Sequence, residues 1–157
     1  MRRKKISKRA LDWVKRRVHE YDVTLTKIIP RDIERGSDTV REEIFHLMFN
    51  RECLHNDFQK YDVVGELFPL WQRMQKLDAL LVVRREMILT GYPVEYYRSQ
   101  RERLKMPRAY WWWYLDELES VELPVYNDGR PIEDIKRFNS RTVQKPHQGN
   151  LPGVNRP

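Results

Sequence analysis

Apolar residues recur at alternating intervals of three and four along the first part of this 157-residue chain, a period typical of amphipathic helices. The first apolar stripe consists of Leu11, Val14, Val18, Tyr21, Leu25 and Ile28. Ser7 is a candidate N-cap for this helix. Pro30 predicts its end, because proline disfavours helical geometry at Ile29 and has no N–H to donate.

Two further stretches show the same period. Thr39 and Glu42 have the capping-box spacing and predict a second helix that ends near Phe58, with a stripe at Val40, Ile44, Leu47, Arg51 and Leu54. A third helix is predicted from Asp62, with Pro69 in its first turn and a stripe at Leu67, Leu70, Met74, Leu77, Leu81 and Ile88. Gly91, which can adopt the left-handed conformation, and Pro93 predict its end.

These three helices predict an all-α fold. Each buries only one stripe, so the economical arrangement over residues 7–91 is an antiparallel three-helix bundle, preceded by a basic arm over residues 1–6. Residues 92–138 predict an aromatic and charged helical extension with a turn at 127–129 and a short helix at 131–138. Residues 139–157, rich in Pro, Gly, Asn, Gln and Ser, predict an extended irregular tail.

Positive charge is concentrated at the start of the chain. Residues 1–17 contain nine Lys and Arg against Asp12 alone, whereas the whole chain has a net charge of +7. Such a segment indicates a polyanion partner, since cations that neutralise RNA phosphates bind through counterion release. A solvated face combined with an organelle-targeting signal is the alternative. The candidate polyanion-binding residues here are Arg2, Arg3, Lys4, Lys5, Lys8, Arg9, Arg16 and Arg17.

A second basic patch lies further along the chain, between two groups of aromatic residues. Its members are Arg98, Arg101, Arg103, Lys105 and Arg108. Cations interleaved with aromatic faces suit RNA, because arginine pairs with phosphate while tyrosine or tryptophan stacks on an unpaired base. Cation–π pairing inside the chain, for example of Arg108 with Trp112, explains the same residues without RNA.

An uninterrupted aromatic run follows this patch: Tyr110, Trp111, Trp112, Trp113 and Tyr114. We expect at least two of these tryptophans to pack within the chain. Five consecutive aromatic residues nevertheless exceed what one small helix buries against its own domain, and interfaces are enriched in Trp and Tyr. The run is therefore predicted to form a protein interface.

Acidic residues dominate the next stretch: Asp116, Glu117, Glu119, Glu122, Asp128, Glu133 and Asp134. This band would repel a phosphate backbone, so it is expected to face protein or solvent, or to pair with a basic neighbour. No histidine or pocket indicates that these carboxylates perform acid–base or metal chemistry. His46, Cys53 and His55 lack the spacing of zinc ligands. We therefore expect no catalytic residue, metal, cofactor or small-molecule substrate.

The remaining features concern location and role. A single cysteine, Cys53, indicates a reducing compartment, and the Arg-, Lys- and Ser-rich start has the composition of a mitochondrial targeting segment. The expectation is a non-catalytic structural subunit of a large organellar ribonucleoprotein on the mitochondrial matrix side, most concretely a ribosomal protein that contacts rRNA and neighbouring subunits. The alternative is a peripheral accessory subunit of a respiratory-chain or ATP-synthase complex, with the arm near anionic lipid head groups.

Overall fold

A computed structural model describes residues 3–120 of the chain, with side chains through Leu118. Of these residues 78% are helical, and the described part contains no strand, which confirms the all-α class. The predicted turn at 127–129, the helix at 131–138 and the tail at 139–157 lie outside the described residues, as does Arg2.

Six α-helices follow one another along the described chain: α1 (Lys8–Val23), α2 (Ile29–Glu34), α3 (Val40–Lys60), α4 (Leu67–Val83), α5 (Arg85–Gly91) and α6 (Val94–Arg103). A π-helical turn, Thr24–Ile28, connects α1 to α2, and a 3₁₀ segment, Trp111–Ser120, follows α6. Helix α1 packs against α3 and α4, helices α2 and α5 pack against α3, and the 3₁₀ segment contacts α3, α5 and α6.

The prediction that the first helix ends at Pro30 is wrong. The π-helical turn precedes it, and the Ile29 N–H donates to the carbonyl of Thr24, five residues back. Pro30 then lies in the first turn of α2, where a missing N–H is tolerated, so the helical path continues to Glu34.

The second and third predicted helices also differ in detail. Thr39 precedes α3 but makes no capping hydrogen bond to the helix; its hydroxyl lies 2.8 Å from that of Ser37. The third helix divides at Arg84, between α4 and α5, where the guanidinium donates to the carbonyl of Leu25 at 3.2 Å. This bond ties the break to the turn that follows α1.

Gly91 is the last residue of α5, but it does not adopt the predicted left-handed conformation. Its φ is not positive; a Cβ placed on it would lie 2.7 Å from Val40 Cγ1 and 2.9 Å from Ile44 Cδ1. The end of α5 therefore approaches α3 so closely that a side chain would force a shift. The sequence correctly indicated where the helix ends, and packing explains why this residue is glycine.

Candidate nucleic-acid interface

Helix α1 separates apolar from basic residues on opposite faces. Leu11, Val14, Val18 and Tyr21 are buried against the rest of the fold. Among the exposed side chains of the outer face are four that we call the α1 basic face: Lys8, Arg9, Trp13 and Arg16. This arrangement follows from the helical period, which places residues three and four apart on one side.

Trp13 distinguishes the α1 basic face from an ordinary solvated helix surface. Its side chain is 47% exposed, whereas the other four tryptophans are at most 2% exposed. The guanidinium carbons of Arg16 and Arg17 lie 5.1 and 5.9 Å from its ring centroid. An exposed indole beside cations can stack on an unpaired base while the cations meet phosphate.

Sequence reasoning missed Trp13 as a candidate site residue, although a signal was present. The residue lies off the apolar stripe of α1, two positions after Leu11 and one before Val14. A large apolar side chain on the charged face of an amphipathic helix does not point into the protein core. The position of Trp13 on that face is therefore a signal present in the sequence.

The basic residues of this region differ in whether a carboxylate already pairs with them. Arg17 lies 2.5 Å from Asp57, and Lys15 lies 3.2 Å from Glu66. Within residues 3–118, no ion pair engages Lys5 or the three cations of the α1 basic face. One exposed carboxylate, Asp12, lies among these cations. The α1 basic face therefore keeps a net positive charge available to a ligand.

The described part of the N-terminal arm is not free. The Lys4 N–H donates to the carbonyl of Lys60, and the Lys4 carbonyl accepts from the Asp62 N–H at 3.1 Å. The Arg3 guanidinium lies 4.0 Å from the Asp62 carboxylate. These contacts attach the arm to the segment that follows α3. The exposed cations of Lys4 and Lys5 are thereby held beside the start of α1.

The second predicted polyanion-binding patch is largely neutralised within the chain. Arg98 lies 2.9 Å from Asp116, and Arg108 lies 3.3 Å from Glu117. Arg101, only 7% exposed, pairs with both carboxylates. Asp116 and Glu117, the first two residues of the acidic band, therefore pair with basic residues of their own chain, whereas the rest of the band lies outside the described side chains. This corrects the expectation that all five cations of the patch are available to RNA.

Two members of that patch have no carboxylate partner among the described residues. Arg103 donates to Gln100 Oε1 from Nε at 3.1 Å and from Nη2 at 2.6 Å. Lys105 is exposed and adopts a positive φ of 52°, just after α6 ends. The structure thus leaves two scattered cations here, fewer than on the α1 basic face and the adjoining arm.

The aromatic run is buried in the chain's own core, and this corrects its assignment as a protein interface. Trp111, Trp112 and Trp113 are at most 2% exposed, Tyr114 is 9% exposed, and Tyr110 is half-buried. In a 3₁₀ segment successive side chains project about 120° apart, and α3, α5 and α6 surround this one. Three helices together bury what one small helix could not.

Individual contacts show how these rings are held. Trp113 packs edge-on against Phe45 and Phe49, with centroids 5.8 and 6.0 Å apart. The Tyr97 hydroxyl donates to the carbonyl of Trp112. The predicted Arg108–Trp112 pair does not form; Arg51 lies over Trp112 at 4.3 Å, and Arg108 lies over Tyr114 at 4.9 Å.

Two titratable groups, Asp78 and His55, have pKa values that their surroundings shift. Burial raises the pKa of Asp78, which accepts hydrogen bonds from Tyr21 and Arg51. Burial, assisted by the positive charge of Arg51, lowers the pKa of His55 to about 4. The Arg51–Asp78 pair is at most 3% exposed, so a substrate could not reach it.

No group of three His, Cys, Asp or Glu residues in the described part could hold a metal ion. None of the described helices is both long enough and apolar enough to cross a membrane. No family model, no curated protein and no solved structure matches the chain.

Proposed function

We propose that this protein is a non-catalytic structural subunit of a large organellar ribonucleoprotein, most concretely a mitochondrial ribosomal protein, and that it contacts RNA through the α1 basic face. Helices α1, α3 and α4 then serve as an antiparallel bundle that presents this face. The single observation that carries the proposal is the exposed Trp13 indole with Arg16 and Arg17 beside it, on the side of α1 that bears Lys8 and Arg9.

The chemistry of this face suits single-stranded or looped RNA. Each cation can neutralise one phosphate, and stacking of one base on an aromatic ring contributes about 1–3 kcal/mol. The inner face of the helix is buried, so its backbone is fixed and the cations and the ring project from one side before RNA arrives.

Anisotropy of a fluorescein-labelled single-stranded RNA, titrated with the full chain at several KCl concentrations, tests the proposal. The charge variant is Lys8→Gln/Arg9→Gln/Arg16→Gln. Because each lost phosphate contact lowers the salt slope by about 0.7 on a single strand, the slope should fall by about 2, and the affinity by at least about tenfold. Trp13→Ala alone should weaken binding about fivefold or more while leaving the slope unchanged.

A charge-matched control distinguishes RNA binding by the α1 basic face from RNA binding that depends only on the net charge of the protein. Arg31→Gln/Arg98→Gln/Arg108→Gln also removes three exposed positive charges, but each of these arginines pairs with a carboxylate. It should change affinity by less than about threefold. Equal losses in the two triple variants, or no RNA binding at low salt, would contradict the proposal.

A second candidate function is favoured by the ion pairs that Asp116 and Glu117 form. Because Asp116 and Glu117 neutralise Arg98, Arg101 and Arg108, that surface suits protein neighbours better than RNA. This supports the alternative of a peripheral accessory subunit of a respiratory-chain or ATP-synthase complex, with the α1 basic face on anionic lipid. Nuclease treatment of the purified assembly distinguishes the two: it releases the chain in the first case and leaves it bound in the second.

A further inference from the structure

A groove of about 500 Å³ lies between α3 and the segment that runs from Tyr92 through α6. We call it the α3–α6 groove. Its volume falls within the range of about 300–1,000 Å³ that is typical of ligand pockets. None of its lining residues belongs to the α1 basic face, so it is a separate candidate site.

One wall of the α3–α6 groove is aromatic. Phe45 and Phe49 are half-buried, with ring centroids 4.7 Å apart. Tyr96 is 38% exposed and packs edge-on against Tyr92 at 5.1 Å. These rings offer an apolar or aromatic side chain of a ligand a surface that excludes water.

Two exposed guanidinium groups line the same groove, one from each side. Arg41, on α3, lies over the Tyr96 ring at 4.5 Å, and Arg103, on α6, donates to Gln100. Neither forms an ion pair with a carboxylate within residues 3–118. Paired guanidinium groups are the preferred receptors for a carboxylate or a phosphate in proteins.

The groove is also lined by a tyrosine whose buried hydroxyl has no partner in the described part of the chain. Tyr92 is fully buried and lines the groove, and its hydroxyl makes no hydrogen bond within the described part of the chain. Burial raises the pKa of Tyr92, whereas the positive charges of Arg41 and Arg103 act in the opposite direction. Both guanidinium groups are therefore close enough to interact electrostatically with the Tyr92 hydroxyl. An orphaned buried hydroxyl is rare and calls for an acceptor supplied by a ligand.

Glu42 affects which class of anionic ligand, nucleic acid or peptide, the groove favours. Its carboxylate also lines the groove, beside Arg41. An RNA backbone presents a phosphate at every nucleotide and would meet this negative charge, whereas a ligand with a single carboxylate can place that group on the arginines and away from Glu42. The charges therefore favour a peptide over a nucleic acid.

We propose that the α3–α6 groove binds a short segment of a neighbouring protein in which one Glu or Asp adjoins an apolar or aromatic side chain. The carboxylate accepts hydrogen bonds from Arg41, Arg103 and the Tyr92 hydroxyl, and the apolar side chain packs on Phe45, Phe49 and Tyr96. This is a protein-docking site independent of the RNA contact proposed for α1.

The test is an NMR titration of the full-length, isotope-labelled chain that follows arginine Nε–H and tyrosine ring signals. The probes are the pentapeptide acetyl-Leu-Phe-Glu-Phe-Leu-amide, the same peptide with Gln in place of Glu, and uridine monophosphate. We expect saturable shifts at Arg41, Arg103 and Tyr92 with the Glu peptide below about 1 mM, and at least about fivefold weaker binding of the Gln peptide. Equal binding of the two peptides, tighter binding of the nucleotide, or no saturation would each overturn the proposal.

Two variants of the groove and two control variants complete the test. Arg41→Gln/Arg103→Gln should weaken the Glu peptide about tenfold or more, whereas Arg35→Gln/Arg98→Gln, which removes the same charge from exposed sites outside the groove, should not. Tyr92→Phe should weaken it about threefold without lowering the urea midpoint, because the hydroxyl has no partner in the fold. A lowered midpoint for Tyr92→Phe, or equal losses in the two arginine variants, would contradict the assignment. The α1 charge variant should bind the peptide normally.

Discussion

Arg51 and Asp78 form a bidentate ion pair in the core, with Nε 2.7 Å from Oδ1 and Nη2 2.9 Å from Oδ2. The pair joins α3 to α4. The Tyr21 hydroxyl of α1 donates to Asp78 Oδ1 at 2.9 Å, and the Trp112 ring of the 3₁₀ segment lies against the Arg51 guanidinium. Residues from four elements therefore meet at one buried charge pair, which makes it a sensitive reporter of the fold.

Asp78→Asn should be strongly destabilising. Removing one partner leaves the Arg51 guanidinium buried without its counter-charge, which costs about 3–5 kcal/mol in the free energy of unfolding. Urea denaturation measures this loss. The double variant Arg51→Met/Asp78→Leu should cost less than Asp78→Asn, because neither charge of the pair is then left buried without its partner. As a control, Arg73→Gln breaks the exposed pair with Asp22 and should cost less than about 1 kcal/mol. A loss for Asp78→Asn as small as that for Arg73→Gln would contradict this account.

His55 should make the protein lose stability as the pH falls. Because burial lowers its folded-state pKa from 6.5 to about 4, the unfolded chain takes up the proton first. Above pH 6.5 the histidine is neutral in both states and does not lower the free energy of unfolding. Between pH 6.5 and 4 the free energy of unfolding falls, by about 2 kcal/mol at pH 5. Denaturant midpoints at pH 7 and 5 measure the loss.

The matched variants for this prediction are His55→Phe and His46→Gln. Phenylalanine preserves the ring contacts with Tyr110 and Trp112 but cannot titrate, so the stability of this variant should change less between pH 7 and 5. His46 is exposed on the same helix, and its replacement should leave the pH dependence unaltered. An undiminished pH dependence in His55→Phe would show that other groups are responsible.

Gly91→Ala should destabilise the fold by overpacking. The added methyl would lie 2.7 Å from Val40 Cγ1 and 2.9 Å from Ile44 Cδ1, which forces α5 away from α3 and costs about 1–3 kcal/mol. Thermal or urea unfolding measures the change. Val40→Ala removes the closest atom, so the double variant should be more stable than the sum of the two single losses predicts. If the losses of the two single variants were strictly additive, the strain in Gly91→Ala would not come from contact with Val40.

Trp13 should account for most of the collisional quenching of tryptophan fluorescence. It is 47% exposed, and the other four indoles are buried at 2% or less, so acrylamide reaches them only through opening of the fold. Trp13→Phe should therefore remove the easily quenched component, which a Stern–Volmer plot of native and variant protein measures. Saturating RNA should protect that component in the native protein. Unchanged quenching in the variant would mean that a second indole is accessible.

Local patterns along the chain were enough to determine its helical class and most helix positions. The stripe from Val40 to Leu54 predicted α3 correctly, and the polar stretch after Pro93 indicated α6. These features depend on residues three and four apart, whose proximity on a helix follows from its 3.6-residue turn alone. Even the errors at Pro30 and Arg84 concerned how helices connect and not whether they form.

Only the tertiary structure decided which charged and aromatic residues remain accessible. Arg98 and Arg101 pair with Asp116, 18 and 15 residues away, because the chain reverses between α6 and the 3₁₀ segment. The same reversal buries Trp111, Trp112 and Trp113 among three helices, while Trp13 remains exposed. Composition and spacing determined that cations and aromatic rings were present. Burial and ion pairing depend on residues that only the folded chain brings together, so only the tertiary structure determined them.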